Sequence, residues 1–487
     1  MLLIMLGRHF RCRFGLATLA TVLAGVLLAG AELNALLGVL QQYRWHTVFD
    51  SVVVVKNSFA VYGNIAQPNH FADYLSLGLI SLGLLYARGL LRGWMVVLLA
   101  APILFVLPLS GSRSIWLYLP WMVFMAYWWQ RGDRTQQPLL QFSVLVLLGF
   151  VLMNLVVQLP WLAGAADSVT AVQRLFGEVN SGGIRLHLWY EAWLIFLRFP
   201  LLGAGFGQFA WQHFQLGPVL QDASITGLYC NAHNLVMHVA ATTGLAGLLV
   251  LFGTLLTWVR RAKHAERSVY HWWGYSMLSV LAIHSLLEYP LWYAYFIGIA
   301  ALLLGMFDPG GYKLELRSVG RLSVAFMLLL GVLSLQQLLI SYRQIEGLVA
   351  QRPASANDLA YVGRMREGLL KVRRQLLLQP YADLFISSML NTDPDQLENK
   401  LSFNAKVLRF IPISSVAYRQ AMLLAQAGRE NDAYTEMERA IWAYPGDFPK
   451  EYKRLQELVN KNPGHFSALL KFSVQKYKEY QRAVHQK

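Results

Sequence analysis

The chain has 487 residues, of which 56% are hydrophobic and 14% charged, a balance too apolar for a string of ordinary soluble domains. The 42 basic residues against 27 acidic ones give a net charge of +15, which in an integral membrane protein marks the cytoplasmic face rather than a nucleic-acid partner. Two cysteines, Cys12 and Cys230, are too few for a disulfide-stapled secreted fold, a Cys-rich zinc site or an iron–sulfur centre.

Arg8, Arg11 and Arg13 precede an apolar run over 14–40 that is too long for a signal-peptide core, so it reads as the first span. Crossing the hydrocarbon takes about 20 apolar residues. Eight further runs approach that length: 71–87, 93–110, 114–130, 139–161, 234–259, 271–289, 291–307 and 322–341. The expected fold is therefore all-α, a polytopic membrane protein of about 9–12 spans. From a cytoplasmic N-terminus, the basic groups Arg88 and Arg92, Arg131 and Arg134, Arg260 to Arg267, and Lys313 to Arg321 all fall inside. Cys12 and Cys230 then lie on opposite sides of the membrane and cannot pair.

Residues 1–341 form the expected membrane domain, with a long outer loop at about 162–233, and 342–487 an outer helical domain. Its charges recur every few residues. Ala417 to Ala421, Gly428 to Ala433, Ala440 and Pro445 follow the spacing of a tetratricopeptide-like helical pair, with neighbouring helices expected at 355–380 and 448–485. An ordinary amphipathic tail fits the same pattern.

Two arginines fall outside against the charge trend, where polar groups in a membrane protein carry most functional information. Arg113 lies in Ser110-Gly111-Ser112-Arg113-Ser114 at the start of a span. Ser112 or Ser114 can cap that helix, whose amides favour an anion, and a guanidinium there suits phosphate oxygens. A headgroup-directed Arg on a tight turn is the plainer reading. Arg185, in Ser181-Gly182-Gly183-Ile184-Arg185, opens an amphipathic stretch and can equally be a solvated loop charge. The later Gly203-Ala204-Gly205-Phe206-Gly207 cluster lacks the strand and spacing of a dinucleotide fingerprint. Asn231-Ala232-His233-Asn234 places a histidine at a helix start, suited to taking a hydroxyl proton or simply to an interfacial cap. Gln67-Pro68-Asn69-His70 offers amides to a sugar or phosphate, or turn chemistry. His284 and Glu288 share a helix face, and an acid at that depth needs a partner. Glu32 poses the same question. Gln67, Arg113, Arg185, His233, Glu288 and Tyr289 all map to one side of the membrane, where the two arginines suit a diphosphate and the imidazole a hydroxyl.

These residues resemble the O-antigen ligase and polymerase superfamily of bacterial inner membranes: Arg113 beside a span, Arg185 before a Trp-rich stretch, Pro200 to Gly207, and His233-Asn234 followed by Thr243-Gly244-Leu245. Gln67 to His70, His284 to Tyr293 and a helical tail are similar to the PglL-type protein O-oligosaccharyltransferases within it. The resemblance covers roughly 60–300. It implies a periplasm-facing enzyme that moves a glycan from undecaprenyl diphosphate to Ser or Thr of exported proteins, often type IV pilins. His233 would be the catalytic histidine, Arg113 and Arg185 the diphosphate ligands, and Gln67, Asn69, Asn234, Glu288 and Tyr289 supporting groups. The chain departs from the pattern at Thr242, where many members carry Glu, and Glu288 is the available substitute.

The implied chemistry is an inverting transfer with arginines neutralising the leaving group. No cofactor or metal is called for. Asp393-Pro394-Asp395, the one Asp-x-Asp, lies in the tail and reads as a cap or turn. Partners are the lipid-linked glycan, membrane lipids and an acceptor protein. Lipid A–core O-antigen ligation and O-antigen polymerisation use the same donor with a sugar acceptor. A transporter would need polar residues through the middle of several spans, and a scaffold would leave Arg113, Arg185 and His233 without a shared purpose.

Overall fold

A computed structural model describes residues 2–56, 58, 60–159, 162, 181–263, 267–308, 318–351 and 358–485. The basic residues Lys313 and Arg317 and part of the expected long loop, 163–180, lie outside them. Among the described residues the regular elements are all helices, with no strand, and each of the nine apolar stretches overlaps a helix. Two compact units result. One gathers Met1–Trp189, His233–Val239 and Gly247–Gly311; the other gathers Tyr190–Ala232, Ala240–Ala246 and Tyr312–Lys487.

The first unit holds α1 (Leu2–Phe14), α2 (Leu16–Tyr43), α3 (Pro68–Ala87), α4 (Gly93–Leu109), α5 (Ile115–Gly132) and α6 (Gln137–Val156). After these come the first turns of α7 (Ser181–Arg198), the ends of α9 (Leu235–Ala262), then α10 (Val269–Ser285) and α11 (Ala294–Met306). Among the described residues, five helices are long and apolar enough to cross a membrane: α2, α3, the helix ending at Val156, α9 and α12 (Ser318–Ala350). α4 and α11 are shorter apolar helices. In an apolar surrounding, association relies on close packing, which small residues permit. A side chain at Gly78 of α3 would sit 2.3 Å from the Ala31 Cβ of α2, and one at Gly305 of α11 would overlap the Ile4 carbonyl of α1. Helix α3 is the centre of this unit, with Phe71, Leu75, Leu79 and Leu82 fully enclosed.

The expected span 271–289 ends early. Helix α10 stops at Ser285, so Glu288 lies in the connection to α11 rather than on the helical face it was expected to share with His284. Helix α12 instead runs past the expected end at 341 and continues to Ala350. No proline lies between 342 and 350, and the apolar helix continues through Gly347 into polar sequence.

The second unit combines α8 (Phe209–Leu220) with the C-terminal helices α13 (Leu359–Val372), α14 (Gln379–Ser388), α15 (Leu397–Phe410), α16 (Ser414–Gln426), α17 (Glu430–Ala443), α18 (Phe448–Lys461) and α19 (Pro463–His485). Phe214 of α8 is buried in one cluster with Tyr418, Met422 and Trp442. Thus part of the expected outer loop packs into the core of the tail. Gly428, at a positive φ of 74°, turns the chain between α16 and α17. Asp393 lies in the connection before α15, where its carboxylate accepts the Asn391 amide at 2.6 Å, a turn contact.

Candidate active site

Helix ends assemble the site. α3 begins at Pro68, which needs no N–H there. The Gln67 side-chain oxygen caps it by accepting the His70 backbone N–H at 2.5 Å. α9 is capped in the same way by Asn234, whose Oδ1 accepts from the Val236 and Met237 amides at 3.0 and 3.2 Å. The amide oxygens of Gln67 and Asn234, expected to face substrate, are thus engaged in starting helices. The expected serine cap of α5 does not form: Ser114 occupies the cap position without a capping bond to a backbone amide, and the buried Ser112 hydroxyl has no partner.

His233, the residue before that cap, has φ of 51°. A non-glycine residue in the left-handed region carries backbone strain, and such strain concentrates at functional sites. The turn aims its ring at Glu288. Nδ1 lies 2.8 Å from Glu288 Oε2. The other carboxylate oxygen, Oε1, accepts the Asn69 amide at 2.7 Å and the Arg185 guanidinium. The Glu288 side chain is 3% exposed, while those of His233 and Arg185 are each 23% exposed. A buried acid is therefore wrapped by three donors, two of which still reach the surface. Burial alone would raise the Glu288 carboxyl, but the hydrogen bond from His233 and the charge of Arg185 outweigh it and hold the group below its ordinary value. Glu288 is a carboxylate.

An ionised carboxylate only accepts, so Nδ1 of His233 carries the proton of that contact. In the neutral ring Nε2 is then a bare acceptor, the tautomer a general base requires. The Tyr289 ring stands edge-on to His233 with centroids 5.0 Å apart, fixing the imidazole plane. Arg113 is half-buried in the connection between α4 and α5. It lies near the start of the helix that carries Tyr118 to His284, whose ring lies near the end of α10.

Asn69, Arg185, His233, Glu288 and Tyr289 are thus brought into one cluster. Glu32 joins no hydrogen bond to it, and its buried Oε1 is unpartnered. Three residues that reading the sequence did not assign lie beside the cluster: the fully buried His70, Tyr118 and His284. Each is a polar group within an apolar helix, which is the signal that could have found them. Asp73, one turn along α3 from His70, is enclosed with neither carboxyl oxygen hydrogen-bonded. Cys12 and Cys230 are both free and exposed.

Comparison with known proteins adds to this geometry. Residues 61–86 match the protein glycosylation ligase family, 95–252 the O-antigen ligase family and 272–458 the C-terminal part of a virulence factor membrane-bound polymerase family. Every residue of the cluster falls within one of the three segments. Over 463 residues the chain is 26% identical to a general O-oligosaccharyltransferase of Acinetobacter baylyi, covering 91% of this chain and 75% of that protein. The resemblance to PglL-type protein glycosylation ligases within the O-antigen ligase family is thereby shown.

Proposed function

We propose that this chain is a multi-pass inner-membrane oligosaccharyltransferase whose site faces the periplasm and moves a glycan from undecaprenyl diphosphate to a Ser or Thr hydroxyl of an exported protein, such as a type IV pilin. The observation that carries the reading is the Glu288–His233 pair, with its acid buried and its imidazole open. Likeness to the Acinetobacter enzyme and to the glycosylation ligase segment supports the acceptor being a protein.

Nε2 of His233 takes the acceptor hydroxyl proton as the oxygen attacks the anomeric carbon. The bond from that carbon to the diphosphate oxygen breaks, the electron pair leaves with the diphosphate, and attack from the opposite face inverts the carbon. Arg113 and the remaining donors of Arg185 neutralise the leaving oxygens, which serves without a metal. Glu288 holds the imidazole in its tautomer and balances the charge that forms on it.

The test mixes purified protein with lipid-linked oligosaccharide and a pilin and measures product mass. Wild type adds the glycan mass. His233→Ala stays folded and loses transfer by at least about 100-fold, the scale of general-base catalysis. Near-normal transfer by His233→Ala refutes the assigned role. The match over 95–252 to O-antigen ligases favours a second reading, the same donor with a lipid A–core acceptor. That reading predicts modified lipopolysaccharide and unmodified pilin.

A further inference from the structure

Behind Glu288 runs a row of buried polar side chains that the chemistry above does not use. The Tyr118 hydroxyl of α5 is 2.7 Å from Nδ1 of His284 on α10. Nε2 of His284 is 2.8 Å from Nδ1 of His70 on α3. All three side chains are fully enclosed. Both contacts are at good hydrogen-bonding distance, and the nitrogen-to-nitrogen one holds a single proton, so one imidazole donates and the other accepts. An apolar trio of similar volume would pack three apolar helices at no desolvation cost, so packing alone does not account for these residues.

The row leads to the cluster. His70 follows Asn69, whose amide donates to Glu288. The His284 carbonyl accepts the Glu288 backbone N–H at 2.8 Å. The Tyr289 ring is edge-on to His70 at 5.9 Å as well as to His233. The His70–His284 bond therefore ties the two chain segments, 219 residues apart in sequence, whose side chains meet at Oε1 of Glu288.

We propose that His284, braced by Tyr118 and His70, is a positioning residue: it acts through Glu288, fixing the carboxylate in the attitude that orients His233. The proposal rests on the reading of His233 as the proton acceptor in glycosyl transfer. Direction of hydrogen bonding, not volume, is what His284 supplies. Glutamine keeps one donor and one acceptor at this position, whereas methionine fills the space with neither.

The test compares wild type, His284→Gln, His284→Met and Tyr118→Phe in the full-length chain. It reads kcat and KM for glycan transfer, the unfolding temperature, and the Nδ1 resonance of His233 in protein carrying isotope-labelled histidine. His284→Met should lower kcat by about 10 to 100-fold at unchanged donor KM, the scale on which a small misplacement of a reacting group by a remote change slows a reaction, with His284→Gln recovering most of it. Tyr118→Phe, which removes one hydroxyl, should lower kcat in the same direction with a smaller loss. Equal losses in His284→Gln and His284→Met that track falling unfolding temperature overturn the proposal, as does wild-type kcat in His284→Met. If wild type itself transfers no glycan, the function proposed above fails and the resonance decides separately: a shifted His233 Nδ1 in His284→Met but not His284→Gln upholds positioning, and an unshifted one overturns it.

Discussion

Replacing Glu288 by Gln isolates the charge of the acid from its shape. The carboxylate accepts at both oxygens, from Asn69 and Arg185 at Oε1 and from His233 at Oε2. An amide accepts at one end only. If its oxygen faces Asn69 and Arg185, its NH2 confronts the Nδ1 proton of His233, and the imidazole must move that proton to Nε2. If it flips, two donors confront each other at Asn69 and a guanidinium meets an NH2. The first arrangement wins because it keeps the contact with the charged partner, and hydrogen bonds to charged groups contribute about 1.5–3 kcal/mol. Its consequence is an imidazole with no acceptor toward the hydroxyl. Loss of general-base catalysis costs about 100 to 10,000-fold in kcat, or roughly 2.7–5.5 kcal/mol at 1.36 kcal/mol per decade. The assay is the initial rate of product formation at saturating lipid-linked donor, with donor KM measured alongside. A kcat within threefold of wild type would refute the tautomer argument.

Two further predictions concern the charge of this acid and the backbone of α9. Glu288 is held below its ordinary value, so its charge is complete above the usual carboxylate range and is lost only as pH falls through the lowered value. Arg185→Leu removes one of the lowering interactions and leaves burial in place, so the Glu288 carboxyl should titrate at higher pH, read from its carboxyl carbon resonance in isotope-labelled protein; an unmoved titration contradicts the pairing. Gly244 interrupts α9 at φ 63° and ψ −157°, a region open essentially to glycine alone. A Cβ there would sit 2.6 Å from the Leu201 carbonyl, so Gly244→Ala should lower stability by at least about 1–3 kcal/mol from the backbone alone, measured by thermal unfolding in detergent. An unchanged unfolding temperature excludes the strain argument.

The helices were legible because each apolar run carries its own length signal, whereas Gln67 and Asn234, expected to support substrate, cap helices instead. Boundaries failed where the signal was not local. Continuous apolar sequence into Leu286-Leu287 hides the end of α10 at Ser285, and α12 meets no breaker at 341. The site divides along the same line. His233, Arg185 and Glu288 stood out singly as polar groups near the ends of apolar runs, but their pairing is set by packing between segments 55 and 103 residues apart. No periodicity reports such a contact. The row behind Glu288 is the more extreme case, with partners 166 and 214 residues apart. A buried histidine in an apolar helix announces only that some donor or acceptor must meet it, because leaving it unpartnered costs several kcal/mol. Which one it meets depends on how α3, α5 and α10 pack against one another. Here hydrogen bonds run from one helix to the next, so the sequence shows the candidates and the packing assigns their order.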